Sequence, residues 1–296
     1  MSLPASVVSV IIPVYNDADG LRRCLVALQQ QTYPADRFEV IVVDNASDTP
    51  LSPVVDAFPR AQCLRETKQG SYAARNRGIA EARGDVLAFT DADCTPAPAW
   101  IGEGVQALHR EQADAAAGAV AFTFQGKEPN PWEYYDAQVY LQQEKNVHTL
   151  GAASTANLFV TREAIEHFGC FNEDLQSGGD FEFTRRISQG DGTLVYAPAA
   201  VVKHPARASF AEILKRDRRV QEGSIILRRE AGERIAFPSD VHAYVPTKSI
   251  PNPGARPLSM KEKGAAYLIF NARRFMRTYF HIKHALLQRM GYSSLK

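Results

Sequence analysis

Residues 7–15 (VVSVIIPVY) and 38–44 (FEVIVVD) are apolar at successive positions, with almost no polar alternation. A strand with one wet face alternates, whereas a strand covered on both faces does not. These segments are therefore predicted as buried strands, with 85–91 (DVLAFTD) another of the same kind and 61–66 (AQCLRE) a weaker one. Between them the period changes. Leu21, Cys24, Leu25 and Leu28 fall at i, i+3, i+4 and i+7 and line one face of a helix. Residues 71–84 (SYAARNRGIAEARG) are Ala-rich and helical, with Gly84 as the predicted stop. Strands alternating with helices at this spacing predict a parallel, doubly wound sheet flanked by helices.

Farther along, 114–124 reads as a strand and 130–146 as an aromatic-rich helix. Residues 155–169 read as a strand then a short helix, 178–187 as a glycine turn into a helix, and 193–204 as two short strands around Pro198. Five prolines between Phe237 and Leu258 mark an extended connector. Residues 261–292 read as a basic helix with Tyr267, Phe270, Phe275, Tyr279 and Phe280 interleaved.

In doubly wound sheets, ligands bind beyond the carboxyl ends of the strands. Here those ends are acidic: Tyr15-Asn16-Asp17 after the first strand, Asp44-Asn45 after the second, Asp91-Ala92-Asp93 after the fourth. Continued strand alternation would turn Asp91 and Asp93 to the same side. Burying carboxylates is costly without a cation to meet them. Two hard oxygen ligands suit Mg²⁺ or Mn²⁺, ions that fill their remaining positions with water and phosphate oxygens.

The charge balance narrows the classes. A net charge of +1 over 296 residues carries no field suited to nucleic acid, although residues 256–296 hold nine Lys/Arg against the single acid Glu262. Four scattered cysteines with no CxxC pair fit a reducing, cytoplasmic setting. The first residues lack a secretory pattern and no apolar run approaches bilayer length, so the expectation is a soluble protein, at most peripheral on the inner face of the membrane. No G-x-G-x-x-G follows the first strand, which argues against a dinucleotide-dependent oxidoreductase.

SVIIPVYND, VIVVDNASDT, KQGSYAARNRG, FTDADC and GGDFEFTRRI, in this order and spacing, resemble the family 2 glycosyltransferases over roughly residues 7–230. The resemblance implies a GT-A fold: a Rossmann-like, mostly parallel sheet flanked by helices, here with a helical C-terminal extension. It implies a nucleotide-sugar-binding half at 1–112, an acceptor-binding half at 113–235, and a connector with basic helix at 236–296. It implies inverting transfer of a sugar from a nucleotide sugar, UDP by family habit, to a saccharide, lipid-linked or small hydroxyl acceptor. The setting implied is cell-surface polysaccharide or glycolipid synthesis. Pro13, Tyr15, Asn16 and Asp44 would cradle the base, Lys68 and Arg75 would lie near the base or diphosphate, and Asp91 would meet ribose or metal. Asp93, with Asp91 and His204, would hold Mn²⁺ or Mg²⁺. Asp180 would be the catalytic base, supported by Glu182, with Arg216 and Arg219 facing the diphosphate. The family commonly carries two acids where this chain has Gly179-Asp180. The Gln-x-x-Arg-Trp signature of processive members does not occur, which favours transfer of a single sugar.

Two rivals share these features: a catalytically inactive sugar-nucleotide-binding protein, and a sugar nucleotidyltransferase. The latter usually carries a Gly-rich loop after strand one, which PVYNDADGLRRC lacks. The basic helix at 261–292 has two readings, a membrane-surface contact or a helix docked on the domain with a solvated basic face.

Overall fold

The computed structural model describes residues 6–230 and 257–289. The chain forms two compact units, Met1–Thr123 with Leu141–Pro205, and Phe124–Tyr140 with Ala206–Lys296. This partition by compactness does not coincide with the functional halves expected at 1–112 and 113–235.

In the first unit the strands are β1 (Val8–Val14), β2 (Phe38–Asp44), β3 (Ala61–Arg65), β4 (Val86–Thr90), β5 (Thr95–Pro96), β6 (Ala115–Thr123), β7 (Asn157–Thr161) and β8 (Leu194–Pro205). Its helices are α1 (Ala18–Gln29), α2 (Ser52–Val55), α3 (Ser71–Glu81), α4 (Trp100–Glu111), α6 (Gln143–Leu150), α7 (Arg162–Phe168) and α8 (Gly179–Gln189). One eight-stranded sheet runs β3-β2-β1-β4-β7-β6-β8-β5. The first four of these strands in sheet order are parallel, with Ile11 opposite Ile41 on one side and Phe89 on the other. β1 is buried at all of its positions, as the unbroken apolar run requires. β7 then lies antiparallel between β4 and β6, and β6 is parallel to β8.

Three local features depart from the sequence reading. Helix α3 ends at Glu81, so Gly84 is not its stop. A Cβ at Gly84 would lie 2.5 Å from the Ser9 backbone nitrogen, so the glycine serves close passage beside β1. The segment 130–146 is two helices broken where Leu141 takes a φ of 48°. The stretch around Pro198 is one strand, not two: Gly118 pairs with Ala197 and Ala119 with Val201, so three residues of β8 bulge out. Proline has no N–H to give the ladder and is tolerated at such a bulge. The buried Asn157 amide pins it, donating to the carbonyls of Ala119 and Ala200 at 2.8 Å each while accepting from Trp100 Nε1. Beyond the bulge β8 resumes beside β5, with Lys203 opposite Thr95, and this carries His204 toward the tip of β4.

The described elements of the second unit are helices: α5 (Pro131–Val139), α9 (Phe210–Glu230) and α10 (Met260–Arg289). Asn130 caps α5 in a reciprocal box with Glu133, whose carboxylate accepts from the Asn130 N–H. Tyr135, Ile213, Ala266 and Ile269 form its core, with Trp132, Val139, Phe210 and Leu258 packed against them. Trp132, Tyr134 and Tyr135 are thus mainly packing residues. Most of the proline-rich connector lies outside the described residues.

Candidate active site

The tips of β1, β2 and β4 lie side by side in the sheet, and loop geometry shapes each one. After β1, Asn16 has a φ of 53°, a left-handed conformation that asparagine tolerates better than most residues. Its side chain and Asp48 exchange hydrogen bonds, Asn16 Nδ2 to Asp48 Oδ2 and the Asp48 N–H to Asn16 Oδ1, both 2.8 Å. The Asn16 N–H donates to Ser47 Oγ. Pro13 ends within β1 opposite Val43, and Tyr15 is 54% exposed beyond it. Asp17 caps α1 by accepting from the Gly20 N–H.

At the β2 tip Asp44 is buried. One carboxylate oxygen accepts from the Ser47 N–H at 2.9 Å and the other from Arg65 Nη1 at 2.8 Å. Arg65, at the end of β3, was not among the residues singled out from sequence. Asn45 ties the same tip to the next loop, donating to the carbonyls of Glu66 and Lys68 and accepting from the Gly70 N–H.

The β4 tip corrects the expected alternation. The strand ends at Thr90, and the Cys94 N–H returns to the Asp91 carbonyl in a tight turn. Asp91 and Asp93 therefore meet different partners. Asp91 accepts from Arg75 Nη2 at 2.6 Å, and Arg75 is itself buried, with its Nε–H lacking a hydrogen-bond partner. Asp93 approaches His204 Nε2 at 3.6 Å, and His204 Nδ1 sits 2.7 Å from the Pro205 carbonyl. Asp93, Cys94 and His204 bring one ligand atom each within 4.8 Å of one another. Asp91 is not in that group, because it is turned to Arg75. Asp93 and His204 offer an oxygen and an imidazole nitrogen, a set that fits Mn²⁺ and is less specific for Mg²⁺. Cys94 is fully buried, and burial holds its thiol well above the ordinary range.

Gly178, with a φ of 84°, turns the chain into α8, and Asp180 follows in its first turn. Tyr72 Oη donates to Asp180 Oδ1 at 3.1 Å, and the Phe181 N–H donates to the same oxygen. Burial raises the Asp180 carboxyl above its ordinary value. The nearby Arg75 guanidinium and these hydrogen bonds pull the other way without cancelling it. The helix N-terminus favours an anion, but here desolvation outweighs it. A Cβ at Gly179 would lie 2.8 Å from the Tyr72 ring. The tyrosine thus fills the space that the second acid of the family pattern would need, and its hydroxyl meets Asp180 instead. On sequence Tyr72 is simply part of a helix. Its one sequence signal is a large aromatic in the first turn of an otherwise small-residue helix.

Arg75, Tyr72, Asp91 and Asp180 are therefore one contact chain. The remaining expected residues have partners of their own. Lys68 is half exposed and pairs with Glu173 at 3.0 Å and Asp174 at 3.4 Å. Glu182 pairs with Arg186 at 2.7 Å one turn along α8. Arg219 is exposed on α9. Arg216 is almost fully buried and paired with Asp217 at 2.8 Å and Asp136 at 3.3 Å, a buried ion-pair setting and not an open basic surface. Asn76 exchanges hydrogen bonds with the Phe171 backbone, and a Cβ at Gly78 would lie 2.5 Å from Ile11.

A family model described as Glycosyl transferase family 2 matches residues 9–168. The chain is 39% identical over 226 residues to Glycosyltransferase AglE of Haloferax volcanii, across 74% of this chain and 73% of that protein. It is 30% identical over 219 residues to Pre-mycofactocin glycosyltransferase of Mycobacterium tuberculosis, across 71% of this chain but only 45% of that protein. Among solved structures it resembles mannosyltransferase PcManGT from Pyrobaculum calidifontis in complex with GDP-Man and Mn²⁺, with a TM-score of 0.60 and 22% identity over 99% of this chain and 77% of that one. It also resembles S. aureus TarS 1-349 in complex with UDP, with a TM-score of 0.55 and 16% identity over 96% of this chain and 92% of that one. At these identities the two structures speak to the fold, which is the GT-A arrangement.

Proposed function

The chain belongs to glycosyl transferase family 2, and from that premise we propose that it moves a sugar from a nucleoside diphosphate sugar to a hydroxyl acceptor with inversion at the anomeric carbon. The observation that carries this reading is the contact chain from Asp180 through Tyr72 to Arg75 and Asp91, which sets a base candidate beside a buried cation at the strand tips. Donor recognition falls to residues 1–112, with Pro13, Tyr15, Asn16 and Asp44 about the base, UDP being the favoured nucleotide. Lys68 stands at the donor side with its charge shared among two acids, Arg75 faces the diphosphate, and Asp91 faces the ribose.

Asp180 takes the proton of the acceptor hydroxyl as that oxygen bonds to the anomeric carbon. The bond from that carbon to the phosphate oxygen breaks, and the nucleoside diphosphate leaves with the electron pair. Arg75 stabilises the charge that develops there, and its buried position strengthens the effect. Asp93 and His204 would hold Mn²⁺ or Mg²⁺, which when bound supplies Lewis-acid neutralisation of the leaving group. The acceptor is a saccharide, a lipid-linked saccharide or a small hydroxyl compound, in cell-surface polysaccharide or glycolipid synthesis at the cytoplasmic side.

Calorimetry with Mn²⁺ and UDP- or GDP-sugars tests the reading. Asp93→Asn is expected to weaken metal-dependent donor binding by about tenfold to a hundredfold or more, since even outer-shell changes cost that much. Donor binding equal to that of the unaltered protein would remove Asp93 from the metal site. Anomeric configuration of the product, read by NMR, tests inversion directly.

The Tyr72 hydroxyl favours the ionised form of Asp180 by donating to it. Tyr72→Phe is therefore expected to raise the Asp180 pKa further. The acid limb of the transfer rate should move to higher pH, with donor affinity unchanged. A limb that stays in place would show that the hydrogen bond is idle in the working enzyme.

A further inference from the structure

Helix α10 is docked and yet has a second face. Ala265, Ala266, Ile269 and Phe280 are buried, Ala266 and Ile269 against Tyr135 and Ile213, and Phe280 against Ile225. On a different side, Leu268, Phe275, Tyr279 and Leu286 are 52%, 61%, 53% and 46% exposed. Their spacing is i, i+7, i+11 and i+18. At 3.6 residues per turn these positions fall on one line along the helix, about 27 Å long. A single exposed apolar side chain needs no explanation, but a five-turn stripe of four does.

The charges beside the stripe are of one sign. Lys261 is exposed and lies seven residues before Leu268, on the same line. Lys283 lies four residues after Tyr279 and three before Leu286, at its edge. Glu262, the one acid in residues 257–289, is turned inward, where Oε2 accepts from the Ser259 N–H at 2.7 Å. Arg273, on the docked side, is paired with Asp217.

We infer that this stripe of α10 lies on an anionic lipid surface, with Leu268, Phe275, Tyr279 and Leu286 entering the headgroup boundary and Lys261 and Lys283 meeting the headgroups. The arrangement of a straight apolar line flanked by lysine and cleared of acid is that of an interfacial helix. No helix among the described residues is long and apolar enough to cross a membrane, so the contact is a surface one. A second copy meeting the chain through the same stripe would set lysine against lysine with no acid to answer.

Vesicle flotation of the full chain tests this without reference to transfer activity, so its outcome is separate from that of the proposed reaction. The protein is expected to float with phosphatidylcholine vesicles containing phosphatidylglycerol, and to stay behind with phosphatidylcholine alone. Phe275→Ser with Tyr279→Ser should weaken partitioning on the order of tenfold or more, with circular dichroism and melting unchanged because both side chains are exposed. Lys261→Glu with Lys283→Glu should weaken it by about fivefold or more per site and remove its salt sensitivity. Absence of flotation with anionic vesicles, or equal flotation of all variants, would overturn the inference. So would a monomer–dimer shift by light scattering in the aromatic variant with flotation unchanged, which would assign the stripe to a second copy.

Discussion

Asp180→Asn is expected to cut turnover by about 10² to 10⁴-fold, the range for loss of a positioned general base, while donor affinity holds. The amide keeps the shape, and its oxygen can still accept from Tyr72 Oη and the Phe181 N–H, so the site around it is retained. What it cannot do is take the acceptor proton. Transfer by the unaltered protein should also fall as pH drops through the raised Asp180 pKa, above the ordinary value of about 3.9 for aspartate. Stability moves oppositely. Because the folded state holds this proton more tightly than the unfolded chain, the group's favourable contribution is full below the unfolded pKa and is lost as pH rises through the folded one. At neutral pH the native protein carries the cost of a desolvated carboxylate, and Asn does not. Asp180→Asn should therefore melt at a higher temperature than the unaltered protein at neutral pH, with the difference shrinking in acid. A variant that still turns over would place the base elsewhere. One that melts lower at neutral pH would show that the carboxylate's hydrogen bonds and Arg75 outweigh its burial.

The parallel half of the sheet was legible because its signal is local. A strand covered on both faces must be apolar throughout, and β2 matches the predicted segment from Phe38 to Asp44. Acids at the ends of such strands are conspicuous for the same reason. The partners of those acids were harder to read. Arg65 meets Asp44 from the neighbouring strand, and Tyr72 meets Asp180 from a helix far away in sequence, so neither pairing leaves a periodic trace. The alternation argument failed at Asp91 and Asp93 because the chain turns there, which the apolar run before them does not announce. Helix α4 went unread although Ile101, Val105 and Leu108 repeat at i, i+4 and i+7 and are buried. Its signal was present and lay between two more conspicuous stretches. The bulge in β8 was half legible: Pro198 marked the break, but the amide of Asn157 that closes it lies on another strand.

Arg216 sets the second large expectation. On sequence, Arg216 and Arg219 share a helix face and read as a basic surface for a diphosphate. In the structure Arg216 belongs to a buried cluster with Asp136, Asp217, Arg207 and Arg273, and its guanidinium and that of Arg207 lie over the Tyr140 ring at 4.6 and 4.3 Å. Asp136 is fully buried, and it also accepts from the Arg207 N–H. Asp136→Leu is expected to cost about 3–5 kcal/mol, because removing one partner of a buried ion pair leaves the other charge desolvated without compensation. Arg207 and Arg216 would both lose their shared acid. Arg216→Leu should destabilise for the same reason, though less, since Asp217 keeps Arg273. The double variant Asp136→Leu with Arg216→Leu should recover part of the loss, since exchanging a buried pair for apolar groups is often close to neutral, while Arg207 stays without its acid. Chemical denaturation of the four proteins closes the cycle. Among variants that remain folded, donor affinity should be unaltered. If Arg216→Leu instead weakens donor binding while leaving stability intact, this cluster contacts the diphosphate after all, and its burial has another purpose.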